Sequence, residues 1–342
     1  MNRPLLLLIG TGAMLGLNFP LGKLALAAGI GAALWAATIS LGAGLAMWIV
    51  TSLTERRVRR NHQPPQGEAR AERASKHEGS STSSGTTYAI RSFEARRVPR
   101  LAPQDEGGVD RGALIRYAFI SGFLSYVMPN LLTFSAIPRI GSGLAAIMFA
   151  LSPVTTAALS ILLKVRPPSL LGLAGIALGL IGALVIIMFR GSNFSVEATW
   201  WLGVALLIPV FLAIGNLYRT LAWPEGASPR RLAAVTNLAA VAPLVIIAVF
   251  ESGTLELSPL LASPGLVTLQ VSVSSAMFLM FFRLQQIGGP TYLSQIGYVA
   301  AAIGVVIGVT WLGESYPPGV WAGTAIIAGG IALATFAQFR RP

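Results

Sequence analysis

IPRIGSGLAAIMFALSPVTTAALSILLKVRPP, from Ile137 to Pro168, lies without a gap over IGGPTYLSQIGYVAAAIGVVIGVTWLGESYPP, from Ile287 to Pro318, at an offset of 150 residues. Few identities are shared. What repeats is the layout: a long apolar run of glycine, alanine and β-branched residues, a short charged loop, and a Pro-Pro stop at Pro167-Pro168 and again at Pro317-Pro318. A repeated layout of this length is the mark of a duplicated structural unit. A second register extends it upstream, where Asn18 falls on Asn216 and Thr38 on Thr236 at an offset of 198. The two offsets differ by 48, the amount by which the loop after the second apolar run exceeds its counterpart in the second half. The long polar segment is therefore an insertion in one copy.

Bulk composition places those runs in a bilayer. Of 342 residues, 54% are hydrophobic and 11% charged, with a mean hydropathy of +0.68, against about 25% charged in ordinary soluble domains. Runs of about 20 apolar residues, the length that spans roughly 30 Å of hydrocarbon at 1.5 Å per residue, recur along nearly the whole chain. Ten spans are expected, near residues 4–28, 31–53, 113–136, 140–163, 168–189, 200–222, 229–251, 263–286, 290–313 and 318–339. The organisation is thus spans one and two over 1–53, a polar insertion over 54–112, spans three to five over 113–190, and the second repeat over 191–342. Arg3, a leucine-rich core and Ala25-Leu26-Ala27 imitate a secretory leader. However, GLNFPLGK in that run (residues 16–23) has a counterpart, IGNLYRTL (214–221), in a later span, so the run is read as a span.

Five crossings per copy is an odd number, so the second copy enters the membrane from the opposite face. The fold class expected is all-α integral membrane, with ten transmembrane helices in two inverted five-helix repeats, an arrangement that lets a central site open alternately to either side. The net charge of +12 is not arranged on an amphipathic or aromatic-interleaved element, so nucleic acid is not expected as a partner. It follows the positive-inside rule instead. With both termini in the cytosol, the outer loops keep only Arg139 and Arg190, whereas the insertion alone holds twelve of the twenty-five basic residues and eight of the thirteen acids. With its SSTSSGTT run from Ser80 to Thr87, that insertion reads as a mostly disordered cytosolic segment able to touch anionic lipids.

The absence of cysteine excludes disulfides and thiolate sites, and both histidines, His62 and His77, lie in the insertion. No Asp or Glu falls at membrane depth. An intramembrane enzyme, a metal centre and a cofactor site are therefore not expected. A carrier coupled through a buried acid is disfavoured by the same count, leaving a uniporter or exchanger, with Glu314 as the remaining route to coupling. The candidate substrate contacts are neutral polar groups that cost free energy in hydrocarbon unless partnered. Thr291, Ser294, Gln295 and Tyr298 fall on one helical face, and Tyr126, Asn130 and Thr133 on another. Asn18 and Asn216 occupy matching depths in the two copies. Lys23 is the one base well inside a span, read either as a side chain reaching back to the interface or as a positive contact for an anion. Arg116, Arg219 and Arg283 are read as interface anchors, and Pro129 and Pro209 as kink sites. Gly12 with Gly16, Gly175 with Gly179, and Gly304 with Gly308 are small-xxx-small pairs suited to close helix approach.

GLNFPLGK, the run from Ala136 through Leu151-Ser152-Pro153 to the Pro-Pro stop, and LGESYPPGVWAGTAIIAGGIAL from Leu312 to Leu333 resemble the drug/metabolite transporter superfamily, in its EamA-like branch. The resemblance covers nearly all of the chain outside the insertion. It implies ten helices in two inverted repeats, cytosolic termini, and movement of small metabolites, often outward. On that likeness Asn18 and Lys23 fall on the family's first-span pattern and Glu314 on its glutamate before the last span, where the first repeat carries Lys164. The expected function is a secondary carrier of small organic metabolites, amino acids or their derivatives first, in the inner membrane. The alternative is a non-transporting sensor or assembly partner acting through the basic insertion.

Overall fold

The computed structural model describes residues 3–61, 110–163, 170–189, 195–294 and 296–339. Among these residues the chain is entirely helical. In order come α1 (Arg3–Ala27), α2 (Ala32–Asn61), α3 (Arg111–Gly122), a π turn (Phe123–Val127), α4 (Met128–Ile140), α5 (Ser142–Ala150), α6 (Ser152–Leu162) and α7 (Leu170–Met188). The second half gives α8 (Val196–Ala205), α9 (Leu207–Leu221), α10 (Pro229–Ser252), the short α11 (Ser258–Ala262), α12 (Pro264–Ser294), α13 (Ile296–Thr310) and α14 (Pro318–Phe339). Seven helical stretches among the described residues are long and apolar enough to cross a membrane, and α13 and the apolar part of α7 are shorter apolar helices. Such a chain must satisfy its backbone and hydroxyl groups internally. The hydroxyls of Thr11, Thr38, Thr133 and Ser275 accordingly donate to carbonyls four residues upstream.

Several expected boundaries shift. α2 continues past Leu53 to Asn61, and most of the expected insertion, with Lys164 and Arg190, lies outside the described residues. The break expected between 286 and 290 is absent: α12 runs on to Ser294. Gly288, Gly289 and Pro290 would stop a helix in water, but where no water competes for backbone groups the helical pairing is retained. Pro129 and Pro209 both sit at real discontinuities. The π turn immediately precedes Pro129, with Met128 N–H donating to Phe123 O five residues back, and α8 gives way to α9 at Leu206, just before Pro209.

The most extensive helix pairings join the two halves: α7 lies along α14 and α2 along α10. α1 packs on α12 and α13, and α9 packs on α6 and across the π turn and α4. The small-residue pairs mediate several of these contacts. A Cβ on Gly12 would lie 2.5 Å from Val299 Cβ, and one on Gly16 2.7 Å from Ile303 Cβ. One on Gly304 would lie 2.5 Å from Ala146 Cβ, and one on Gly330 2.7 Å from the backbone of Gly175 and Gly179. The crossing helices α1, α9, α12 and α13 and the α3–α4 rod converge on the middle of the bundle, where the site lies.

Candidate functional site

A cavity of about 90 Å³ occupies that convergence, against the roughly 10–15 Å³ that one water needs on the same measure. Both sequence halves line it. Asn18 and Phe19 come from α1, Ser125 and Tyr126 from the π turn, Asn130 and Thr133 from α4, and Asn216 and Arg219 from α9. Phe278 and Phe281 of α12 and Phe149 of α5 supply much of the apolar wall. Phe19 meets Phe149 edge-on at 5.0 Å, and Tyr126 meets Phe278 in the same way at 5.0 Å. The π turn matters here because its extra residue rotates the following positions, and Tyr126 lies on it.

Asn18 is buried and held on both sides. Its Nδ2 donates to the carbonyls of Met14 and Leu15 at 3.1 and 3.3 Å. Its Oδ1 accepts from Gln270 Nε2 and, at 3.1 Å, from Ser274 Oγ. Asn216 answers it from the other half, with its Oδ1 accepting from Arg219 Nη2. The two asparagines matched by the repeat register thus reach one cavity, one in a neutral amide cluster and the other beside a cation.

Arg219 departs from the anchor role expected of it. Its side chain is 2% exposed, lines the cavity, and lies over the Phe281 ring at 5.0 Å. It sits within a turn of the end of α9, which is why its position suggested an interface. The signal that could have placed it inside is its spacing of three from Asn216, which puts both on one helical face. Arg116 and Arg283, by contrast, are exposed. Sequence reasoning also missed Ser125, Gln270 and Ser274; the spacing of four between Gln270 and Ser274, which puts both on one helical face, is the signal that could have found the last two.

Of the other sequence candidates, Tyr126 and Asn130 line the cavity together with Thr133. Tyr298 lies outside the lining, half-buried and packed against the core. Thr291 falls in α12 near its end, and Gln295 lies outside the described residues. Lys23 is also outside the lining. Its Nζ lies 2.7 Å from Glu314 Oε1, with the two side chains 34% and 6% exposed.

That ion pair belongs to a larger closure at one end of the bundle. α5 begins after Gly141, whose φ of +86° suits glycine and which offers no capping side chain. Glu314, from the loop between α13 and α14, supplies the cap. It accepts from Ser142 N and Ser142 Oγ at 2.8 Å each, from Gly143 N at 3.0 Å, and from the Tyr316 hydroxyl. A carboxylate at a helix N-terminus satisfies orphan donors and meets the positive end of the dipole. Burial alone would raise the Glu314 carboxyl, but the hydrogen bonds from Lys23, Tyr316, Ser142 and Gly143 outweigh it and hold its pKa at about 2. Burial and the adjacent carboxylate push the Tyr316 hydroxyl up. At the opposite end, Tyr117 stacks on Tyr218 at 6.0 Å and meets Trp223 at 6.4 Å, next to Arg219 in the chain. Among the described residues no group of three metal-ligating side chains converges.

The chain is similar in sequence and fold to known proteins. Residues 100–188 match the EamA-like transporter family. Two proteins named as S-adenosylmethionine/S-adenosylhomocysteine transporters, from Chlamydia trachomatis serovars L2 and D, are each 25% identical over 228 residues, covering 64% of this chain and 69% of theirs. One of the same name from Chlamydia muridarum is 24% identical over 230 residues, covering 64% and 71%. A solved crystal structure aligns over 99% of both chains with a TM-score of 0.58 at 17% identity, a likeness of fold alone. The chain is a multi-pass membrane protein whose residues 100–188 match the EamA-like transporter family.

Proposed function

We propose that the protein is a secondary carrier of small organic metabolites, built as ten spans in two inverted five-helix units and working by alternating access. The observation that carries this reading is the central cavity, apolar in its walls, with a few polar groups drawn from both halves and an asparagine from each. Binding sites of small molecules have this make-up, and a site between inverted repeats is the one position both conformations can expose. The leading substrates are amino-acid derivatives, S-adenosylmethionine and S-adenosylhomocysteine first, because the similar chlamydial proteins bear those names. The distribution of Lys and Arg supports cytosolic termini and residence in the inner membrane.

The test is counterflow in proteoliposomes. Vesicles loaded with unlabelled S-adenosylhomocysteine, S-adenosylmethionine or single amino acids should accumulate the labelled counterpart through the purified full chain. A chain lacking residues 62–109 should still do so. Absence of exchange across the whole panel, from protein shown to be inserted and folded, would overturn the carrier reading.

A further inference from the structure

We propose that Arg219 is the carboxylate-binding residue of the cavity, and that the transported molecule therefore carries a free carboxylate. This inference rests on the carrier reading and narrows it to a chemistry.

A guanidinium carries five N–H donors in a rigid fork. Arg219 spends one of them: Nη2 donates to Asn216 Oδ1. Nε and Nη1 complete no hydrogen bond. Because Nη2 has two hydrogens and only one is used, one edge of the fork stays whole whichever hydrogen Asn216 takes. A whole edge is what a carboxylate engages with two parallel hydrogen bonds.

Among the described residues no counter-ion explains the charge, and no Asp or Glu lines the cavity. Outside the insertion the acids are Glu197, Glu225, Glu251, Glu256 and Glu314. Glu314 is engaged with Lys23 at the far end of the bundle and Glu197 with Arg139, and the other three are exposed. The face of Phe281 offsets part of the desolvation through its π electrons, but a ring face accepts none of the four remaining donors. A buried cation without an anion is strongly unfavourable, and ionisable groups at membrane depth are kept where they serve transport.

The surroundings fit the same ligand group. Ser125 Oγ and Tyr126 Oη, both lining the cavity, complete no hydrogen bond either. Ser125 packs directly on Gly215, one turn before Arg219, so the π turn brings two hydroxyls to the same helix that carries the guanidinium. The aromatic wall of Phe19, Phe149 and Phe278 is left for the apolar or planar remainder of the molecule. Both compounds in the names of the chlamydial relatives have an amino-acid carboxylate, as do the free amino acids, so the panel above already contains suitable probes.

The deciding experiment is competition against labelled S-adenosylhomocysteine counterflow, comparing acids with analogues that differ only at the carboxyl: S-adenosylhomocysteine against its decarboxylated form, and methionine and leucine against their carboxamides. The acids should compete about 10- to 100-fold better, the range expected of hydrogen bonds to a buried charge. In Arg219→Gln the acid should lose that advantage, and in Arg219→Lys, which keeps charge without the fork, it should recover part of it. Equal competition by acid and amide in the unaltered protein overturns the inference while leaving the carrier reading intact. So does an unchanged acid-to-amide ratio in R219Q. The comparison in the unaltered protein decides even where the variant does not fold. Absence of any counterflow removes the carrier reading and this inference with it.

Discussion

Lys23 Nζ stands 2.7 Å from Glu314 Oε1, fastening the first helix to the loop before the last. The same carboxylate caps α5 through Ser142 and Gly143, so one side chain joins three elements at one end of the bundle. Because its pKa lies below 4.5, at about 2, Glu314 favours the folded state fully above pH 4.5 and loses that contribution as pH falls toward 2. The thermal midpoint of detergent-purified protein should therefore fall across that window. Glu314→Gln should lower the midpoint at neutral pH, at a cost on the order of 1–3 kcal/mol, and flatten the acid slope. An identical slope in E314Q would show that Glu314 is not the group responsible.

The same closure is linked to the cavity wall. Gly22, next to Lys23, packs on Phe134, and Phe134 lines the cavity. The chain has no cysteine, so a single Asn130→Cys thiol reports alone. Its labelling by a membrane-impermeant maleimide should be slow in an otherwise unaltered chain and severalfold faster when Lys23→Ala is added. Equal rates would place the barrier elsewhere.

Helix approach at the α1–α13 crossing depends on a missing side chain. A Cβ on Gly12 would stand 2.5 Å from Val299 Cβ and 2.8 Å from Ile296 O. Gly12→Ala should destabilise by about 1–3 kcal/mol through overpacking. Gly203 in α8 has open space at the same point, so Gly203→Ala should be neutral or stabilise by about 0.5–1 kcal/mol. Thermal midpoints of the two variants should move in opposite directions or differ by at least several degrees.

The amide cluster at Asn18 makes a coupled prediction. Asn18→Leu removes the acceptor of Gln270 and Ser274 and should cost about 1–3 kcal/mol by leaving buried polar groups unpaired. Adding Gln270→Leu should recover part of the loss, since two apolar partners leave one fewer orphan. A double-mutant cycle should give a coupling of about 0.5–3 kcal/mol. Strict additivity would mean that the two side chains act independently.

Much of the fold could be read from periodicity. Apolar runs marked the helices because only an internally hydrogen-bonded helix suits that composition in hydrocarbon. The small-residue pairs marked close crossings for a similarly local reason: Gly12 and Gly16 leave room that larger residues deny. The π turn had no such signal, as FLSYV resembles any other apolar stretch. The end of α12 was misplaced because glycine and proline break helices by rules set in water.

The site was readable where residues kept regular company. Tyr126, Asn130 and Thr133 recur on one helical face, and Asn18 and Asn216 share one register between the two halves of the sequence; all five meet at the cavity. Residues whose role depends on a distant partner were not readable. Lys23 could be read as a side chain reaching back to the interface or as a charge for a ligand, but Glu314, 291 positions away, engages it. Arg219 looked like an anchor because its distance from the helix end is a local fact, whereas its burial is set by Phe281 and its one partner by Asn216.

The sequence by itself determined the solvent of this chain, its helical character and the repeated layout of its two halves, because hydropathy, helix length and repeat spacing are properties of contiguous residues. Only the tertiary structure decided which charges are spent and which remain open. An ion pair or a buried guanidinium is defined by what lies across the bundle, and that proximity comes from helix packing, which no single stretch of sequence contains.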